Sequence, residues 1–139
     1  MSWKWFGVKT VYRIEAKGMP VTADDRFDPE ATGVEERVVL IRARSFDEAI
    51  AKGEAEAKEY ASDTYTNPYG QVVRTRFLRK SDAFELYDDP GANVEVYSST
   101  ELMPKATSNQ QIVDQHFGVH ETKAVHKTRR KFFNAKFSS

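Results

Sequence analysis

The 139-residue sequence contains no cysteine. That absence removes thiol nucleophiles, cysteine-ligated zinc and disulfide stapling together, and it fits a reducing compartment. Long apolar runs are missing too. Nothing approaches the roughly 20 residues that cross a bilayer as a helix, and the opening MSWKWFG has no signal-peptide core. The expectation is a cytoplasmic chain with no membrane span. Catalytic signatures are equally scarce: there is no Gly-x-Ser-x-Gly elbow, no glycine-rich phosphate loop and no carboxylate pair framed by glycines. No catalytic residue and no cofactor is therefore assigned, and a non-enzyme is expected. Three histidines, His116, His120 and His126, are spaced by four and six residues. Gly118 interrupts the helix that would align the first two, and no carboxylate is placed behind them, so no metal site is assigned either.

Net charge is also lacking, since 21 Lys and Arg balance 21 Asp and Glu. The balance hides an asymmetry. Residues 120–139 hold six basic residues and one Glu, which leaves 15 basic against 20 acidic residues in the first 119. An acidic body thus carries a basic tail, which implies a tail docked on the body or two surfaces for two partners.

What is present is organised around residues 35–61. Val38, Val39, Leu40 and Ile41 form a β-branched run of strand length bounded by charge. Ser45-Phe46-Asp47-Glu48 then reads as a capping box that opens a helix over 45–61. Phe46, Ala49, Ile50, Gly53, Ala57 and Tyr60 share one face of that helix, and Asp47, Lys52, Glu54, Glu56, Lys58 and Glu59 share the other.

Before it, residues 3–15 read as a strand with apolar weight on both faces: Phe6, Val8, Tyr12 and Ile14 on one, Trp3, Trp5 and Val11 on the other. Residues 16–34 form a long loop with two prolines, two glycines and the acids Asp24, Asp25, Asp28 and Glu30. Those acids lack the mid-loop Gly and closing Glu of an EF-hand, so calcium is rejected. After the helix, Asn67-Pro68-Tyr69-Gly70 is a turn. Strands follow at 71–80 and 83–87, joined at Ser81-Asp82, and Asp88-Asp89-Pro90-Gly91 leads into a short last strand at 94–97.

Over residues 3–99 the chain resembles the small bacterial domain of unknown function family four-two-eight-eight. The resemblance rests on Trp5-Phe6-Gly7-Val8-Lys9, on Glu35-Glu36-Arg37-Val38-Val39-Leu40-Ile41-Arg42-Ala43 running into Ser45-Phe46-Asp47-Glu48-Ala49, and on Asn67-Pro68-Tyr69-Gly70, Phe84-Glu85-Leu86-Tyr87 and Glu95-Val96-Tyr97-Ser98. Order and spacing carry it. The resemblance implies a compact α+β domain and brings no catalytic residues.

The expected architecture is thus α+β: an antiparallel sheet of about five strands, one main helix packed on one face, and a short C-terminal helical extension. Residues 1–100 form the domain and 101–139 the extension, in which Ser108 caps a helix through Phe117. A single helix covers one face only. The face bearing Trp3 and Trp5 must then be shielded by the extension, a second copy of the chain or another protein, because burying a tryptophan stabilises by about 2 to 3 kcal/mol.

Two functional readings follow. The first is a non-enzymatic module that binds and masks a partner protein, as an immunity-type protein masks a cognate toxin. Trp3 and Trp5 are the aromatic anchors, and Asp24, Asp25 and Asp28 are acids suited to a basic cleft. The second is a nucleic-acid-associated protein using Arg74, Arg76 and the basic tail, where Arg129, Arg130 and Phe133 interleave cations with aromatics. A homodimer is compatible with either.

Overall fold

The computed structural model describes residues 2–25 and 27–117. Its organising element is β1 (Lys4–Lys17), whose period-two pattern buries Phe6, Val8, Thr10, Tyr12 and Ile14 on one face. Chain order continues through β2 (Gly33–Ala43), α1 (Phe46–Tyr60), β3 (Thr64–Thr66), β4 (Val72–Glu85) and α2 (Asn109–Phe117). All pairings are antiparallel, and the strands lie in the order β2-β1-β4-β3. The architecture is the expected α+β one, with a main helix on one face and a short helix in the extension.

α1 starts where the capping box places it. Ser45 has extended backbone and its hydroxyl accepts from the Glu48 amide at 3.1 Å. The Glu48 carboxylate reaches one residue further back than a reciprocal box requires, accepting from the Arg44 amide at 3.4 Å. Ala49, Gly53 and Ala57 are the buried residues of the helix. Their smallness is what lets it lie close. A Cβ on Gly53 would stand 2.5 Å from Val8 Cγ1, in a β-branched side chain with no room to turn.

Three details differ from the sequence reading, each for a physical reason. The strands expected at 71–80 and 83–87 are one strand: Ser81 and Asp82 stay in the ladder opposite Thr10 and Lys9. The irregularity falls earlier. Thr10 faces Ser81 while Tyr12 faces Phe77, so β4 carries a bulge, and within it Arg79 adopts φ 61°. Residues 94–97 form no ladder. Asn93 at φ 63° and the Gly91 carbonyl, which accepts from the Val94 amide at 3.3 Å, turn the chain across the sheet instead of along its edge. Lastly, β3 was not expected, and it pairs only with Val72, Val73 and Arg74.

In α2, Ser108 caps as expected, its hydroxyl accepting from the Gln111 amide at 3.1 Å. No residue of this helix is buried. Among the described residues, no helix is long and apolar enough to cross a membrane.

Candidate functional site

The sheet face away from α1 is where the sequence places its anchors. Val34, Glu36, Val38, Leu40 and Arg42 alternate outward along β2, opposite the inward residues Val39, Ile41 and Ala43. On β1 the same outer face carries Trp5, Gly7, Lys9 and Val11, in register with Arg42, Leu40, Val38 and Glu36.

Cations of the chain itself stand against both tryptophans. Arg42 stands over the Trp5 ring at 5.1 Å, and Arg44 and Lys52 stand over Trp3 at 4.9 and 4.8 Å. These cations cover part of each indole. Trp5 is half-buried, and Trp3 keeps 48 % of its surface exposed. The sequence reading placed Lys52 on the polar face of the helix and gave Arg42 and Arg44 no role. It missed that an arginine or lysine stem can lie flat on an indole.

A further part of the outer face is covered by residues 87–97. The Tyr97 hydroxyl donates to Asp82 Oδ2 at 2.6 Å, the Tyr97 ring meets Phe84 at 6.4 Å and Lys9 at 5.7 Å, and the Val96 carbonyl lies directly over Gly7. This strap ends before the extension begins. Beside it lies a shallow groove of about 450 Å³ lined by Lys9, Val11, Leu78 and Tyr97, among others.

β2 is open as well. As the end strand of the sheet it has β1 on one side and, among the described residues, no ladder partner on the other. Val34, Val38 and Leu40 keep 64, 42 and 39 % of their surface exposed. An edge strand of 11 residues with an apolar outer row offers both hydrogen-bonding groups and contact area to an added strand.

The acidic loop lies elsewhere. β1 spans 14 residues, so at about 3.3 Å per residue roughly 40 Å separates Trp3 and Trp5 from the loop holding Asp24, Asp25 and Asp28. The loop is fastened to the Asn67-Gln71 turn: the Val21 amide donates to the Tyr69 carbonyl at 2.8 Å, the Tyr69 hydroxyl to Asp24 Oδ1 at 2.9 Å, and Phe27 packs edge-on against Tyr69 at 5.2 Å. Asp28 Oδ1 accepts from the Glu30 amide at 2.9 Å, while Asp25 is exposed. Asp24 and Asp28 thus hold the loop in shape. The tryptophans and the acids do not converge on one patch, and Arg129, Arg130 and Phe133 lie outside the described residues.

Residues 5–98, more than half of the chain, match the model of the domain of unknown function DUF4288. The chain belongs to the DUF4288 family. No curated protein and no solved structure matches it. The DUF4288 match takes in Trp5, Gly7, all of β2 and the strap, and it ends just before the extension.

Between sheet and helix, the DUF4288 domain holds a polar seam that the sequence reading did not anticipate. Arg37 Nη1 and Nη2 donate to Glu56 Oε2 and Oε1 at 3.1 and 2.9 Å, and Nη1 also donates to the Tyr12 hydroxyl at 3.1 Å. That hydroxyl shares a 2.6 Å hydrogen bond with Thr10 Oγ1. The Arg37 guanidinium lies 3.5 Å from the Tyr60 ring centre, and the Tyr60 hydroxyl donates to Glu35 Oε1 at 2.6 Å. Burial works against the charge on Arg37, but the hydrogen bonds it donates to Glu56 and Tyr12 outweigh it and the net shift is upward. These groups satisfy one another, which is a structural use: the seam fixes the register of α1 on the sheet. Arg37 at an inward strand position and Glu56 among the polar residues of α1 were the available signals.

Three tyrosine hydroxyls are displaced upward, that of Tyr65 by partial burial and then by the nearby Glu35 charge. Partial burial, then the hydrogen bond to Glu35, push Tyr60 up to about 12. Partial burial, then Asp82, push Tyr97 up to about 12. Tyr60 keeps 42 % of its surface exposed, so the hydrogen bond is the sturdier of its two causes. A raised folded-state pKa favours the protonated hydroxyl, so both contributions are complete below the unfolded tyrosine value and are lost as pH climbs through it toward 12. In an alkaline titration read by tyrosinate absorbance, Tyr60 and Tyr97 are expected to ionise late. Tyr60→Phe and Tyr97→Phe should each reduce the late part of the absorbance change, and an unchanged late part in both variants would contradict the assignment.

Proposed function

We propose that this DUF4288 protein is a non-enzymatic protein-binding module that masks a partner protein along β2 and the outer sheet face. The observation that carries the reading is the open edge of β2 with Val34, Val38 and Leu40 exposed in one row. A partner strand added there gains main-chain hydrogen bonds, while the row supplies the apolar contact that makes them selective. Glu36, held by Lys9 at 3.2 Å, and Arg42, seated over Trp5, frame the row with opposite charges. The finer form of the proposal is an immunity-type protein whose partner is a cognate toxin, in keeping with a small, cysteine-free body of acidic character. Trp5 then acts on the same face and Trp3 beside the end of the sheet, and the acids of the loop act through long-range charge rather than contact. Capture by the immobilised full chain from lysate of its source cell, followed by mass spectrometry, is expected to retain one protein at stoichiometric level.

A further inference from the structure

A second site lies on the other margin of the sheet. β3 pairs with β4 only through Val72, Val73 and Arg74, so the β4 edge beyond Arg74 continues without a ladder partner among the described residues. There the edge and the last turn of α1 enclose an open groove of about 490 Å³ with Phe77 in its lining. Four cations line it, Lys58, Arg74, Arg76 and Arg79, and no acidic residue does. Arg76 is held in place by Glu15, whose Oε1 accepts from Nη2 at 3.1 Å and Nε at 3.2 Å. No carboxylate of the described residues pairs with Lys58, Arg74 or Arg79. Lys58 offsets the partial negative charge of the helix end, and Glu15 offsets part of Arg76. Arg74 and Arg79 therefore carry the uncompensated charge.

Arg79 supplies an independent observation. It sits in the bulge of β4 at φ 61°, a left-handed conformation that disfavours side chains other than glycine. Bulges re-aim side chains, and strained backbone of this kind gathers where a side chain is put to use. Here the strained residue is one of the groove's own arginines.

We infer that this groove binds clustered phosphate groups. Arginine forks match phosphate oxygens two at a time, and the uncompensated Arg74 and Arg79 supply two such forks, one for each of two neighbouring phosphate groups. Free polyphosphate chains and a nucleic-acid backbone share this chemistry. The site stands apart from the β2 surface and does not depend on the partner-masking proposal.

Calorimetry on the full chain with inorganic tripolyphosphate, and separately with a single-stranded oligonucleotide, tests it. Arg74→Gln and Arg79→Gln are each expected to weaken binding about tenfold, and the pair about a hundredfold. Lys105→Gln, an exposed cation outside the groove, should change nothing. Arg79→Gly separates binding from folding, since it relieves the left-handed strain while removing the charge. Its thermal midpoint should hold or rise although its affinity falls as in Arg79→Gln. Loss of binding in these variants with either probe sustains the site, and the probe that binds names the source of the phosphate. Binding of neither probe, or binding indifferent to Arg74 and Arg79, overturns it.

Discussion

Replacing Gly7 by alanine is expected to lift residues 94–97 off the outer face while the helix side of the sheet keeps its structure. Gly7 lies mid-strand between Leu40 on β2 and Phe84 on β4, so its backbone is fixed from both sides. A Cβ there would occupy the place of the Val96 carbonyl, with Val38 Cγ1 a further 3.4 Å neighbour. The strap is the part that can yield. Overfilling a packed contact of this kind costs about 1 to 3 kcal/mol, and Gly7→Val should cost more because the strap then has no seat. Limited proteolysis within residues 87–97 should accelerate, with the far-ultraviolet circular dichroism preserved. Because a detached strap no longer brings Tyr97 to Asp82, Tyr97→Phe should add almost nothing in the Gly7→Ala background, although it destabilises the parent. Full additivity would show that the strap never depended on Gly7.

Tyr12→Ala should be among the most destabilising single changes. Tyr12 is fully buried, its ring meets Tyr60 at 5.2 Å and Phe77 at 5.7 Å, and its hydroxyl joins Thr10 to Arg37. Truncating a buried aromatic costs about 3 to 5 kcal/mol, a large share of the roughly 5 to 15 kcal/mol that a domain commonly has. Tyr12→Phe isolates the polar part. It keeps the ring and leaves the buried Thr10 hydroxyl and one Arg37 N–H without their partner, at a cost of about 1 to 2 kcal/mol. Urea unfolding of both variants checks the two figures. A Tyr12→Phe protein as stable as the parent would mean that the seam contributes nothing beyond packing.

Local signals in this sequence were strong and tertiary ones weak. Ser45 and Glu48, the Ala49, Gly53 and Ala57 face, the two-sided first strand and the Asn67-Gly70 turn all act within a few residues, and the structure realises each of them. The path of residues 87–97 was not legible, because Val94, Val96 and Tyr97 alternate as a strand would whether they join a ladder or cross one. Nor did Ser81-Asp82 disclose that its turn chemistry would be overridden by pairing with Thr10 and Lys9. For the candidate surface, sequence alone located the outer face and its tryptophans but not the exposed row of β2. Nor did it place the cations at 42, 44 and 52, which come from three separate elements or junctions to reach the indoles. That convergence has no period to read.

The difference changes which residues the proposed partner would meet first. A surface centred on tryptophan anchors predicts a compact hot spot, whereas a surface centred on an edge strand predicts a long contact in which main-chain geometry matters as much as side chains. Val38 and Leu40 belong to the second kind, and their outward position makes them replaceable without disturbing the core clusters around Phe6 and Tyr12.

The most direct measurement is therefore a side-by-side capture with the full chain and with its Val38→Asp/Leu40→Asp form, both shown to unfold at similar denaturant concentration. The account predicts one protein held at stoichiometric level by the parent and lost from the double variant. Recovery of no stoichiometric protein by the parent, or equal recovery by both forms, would contradict it.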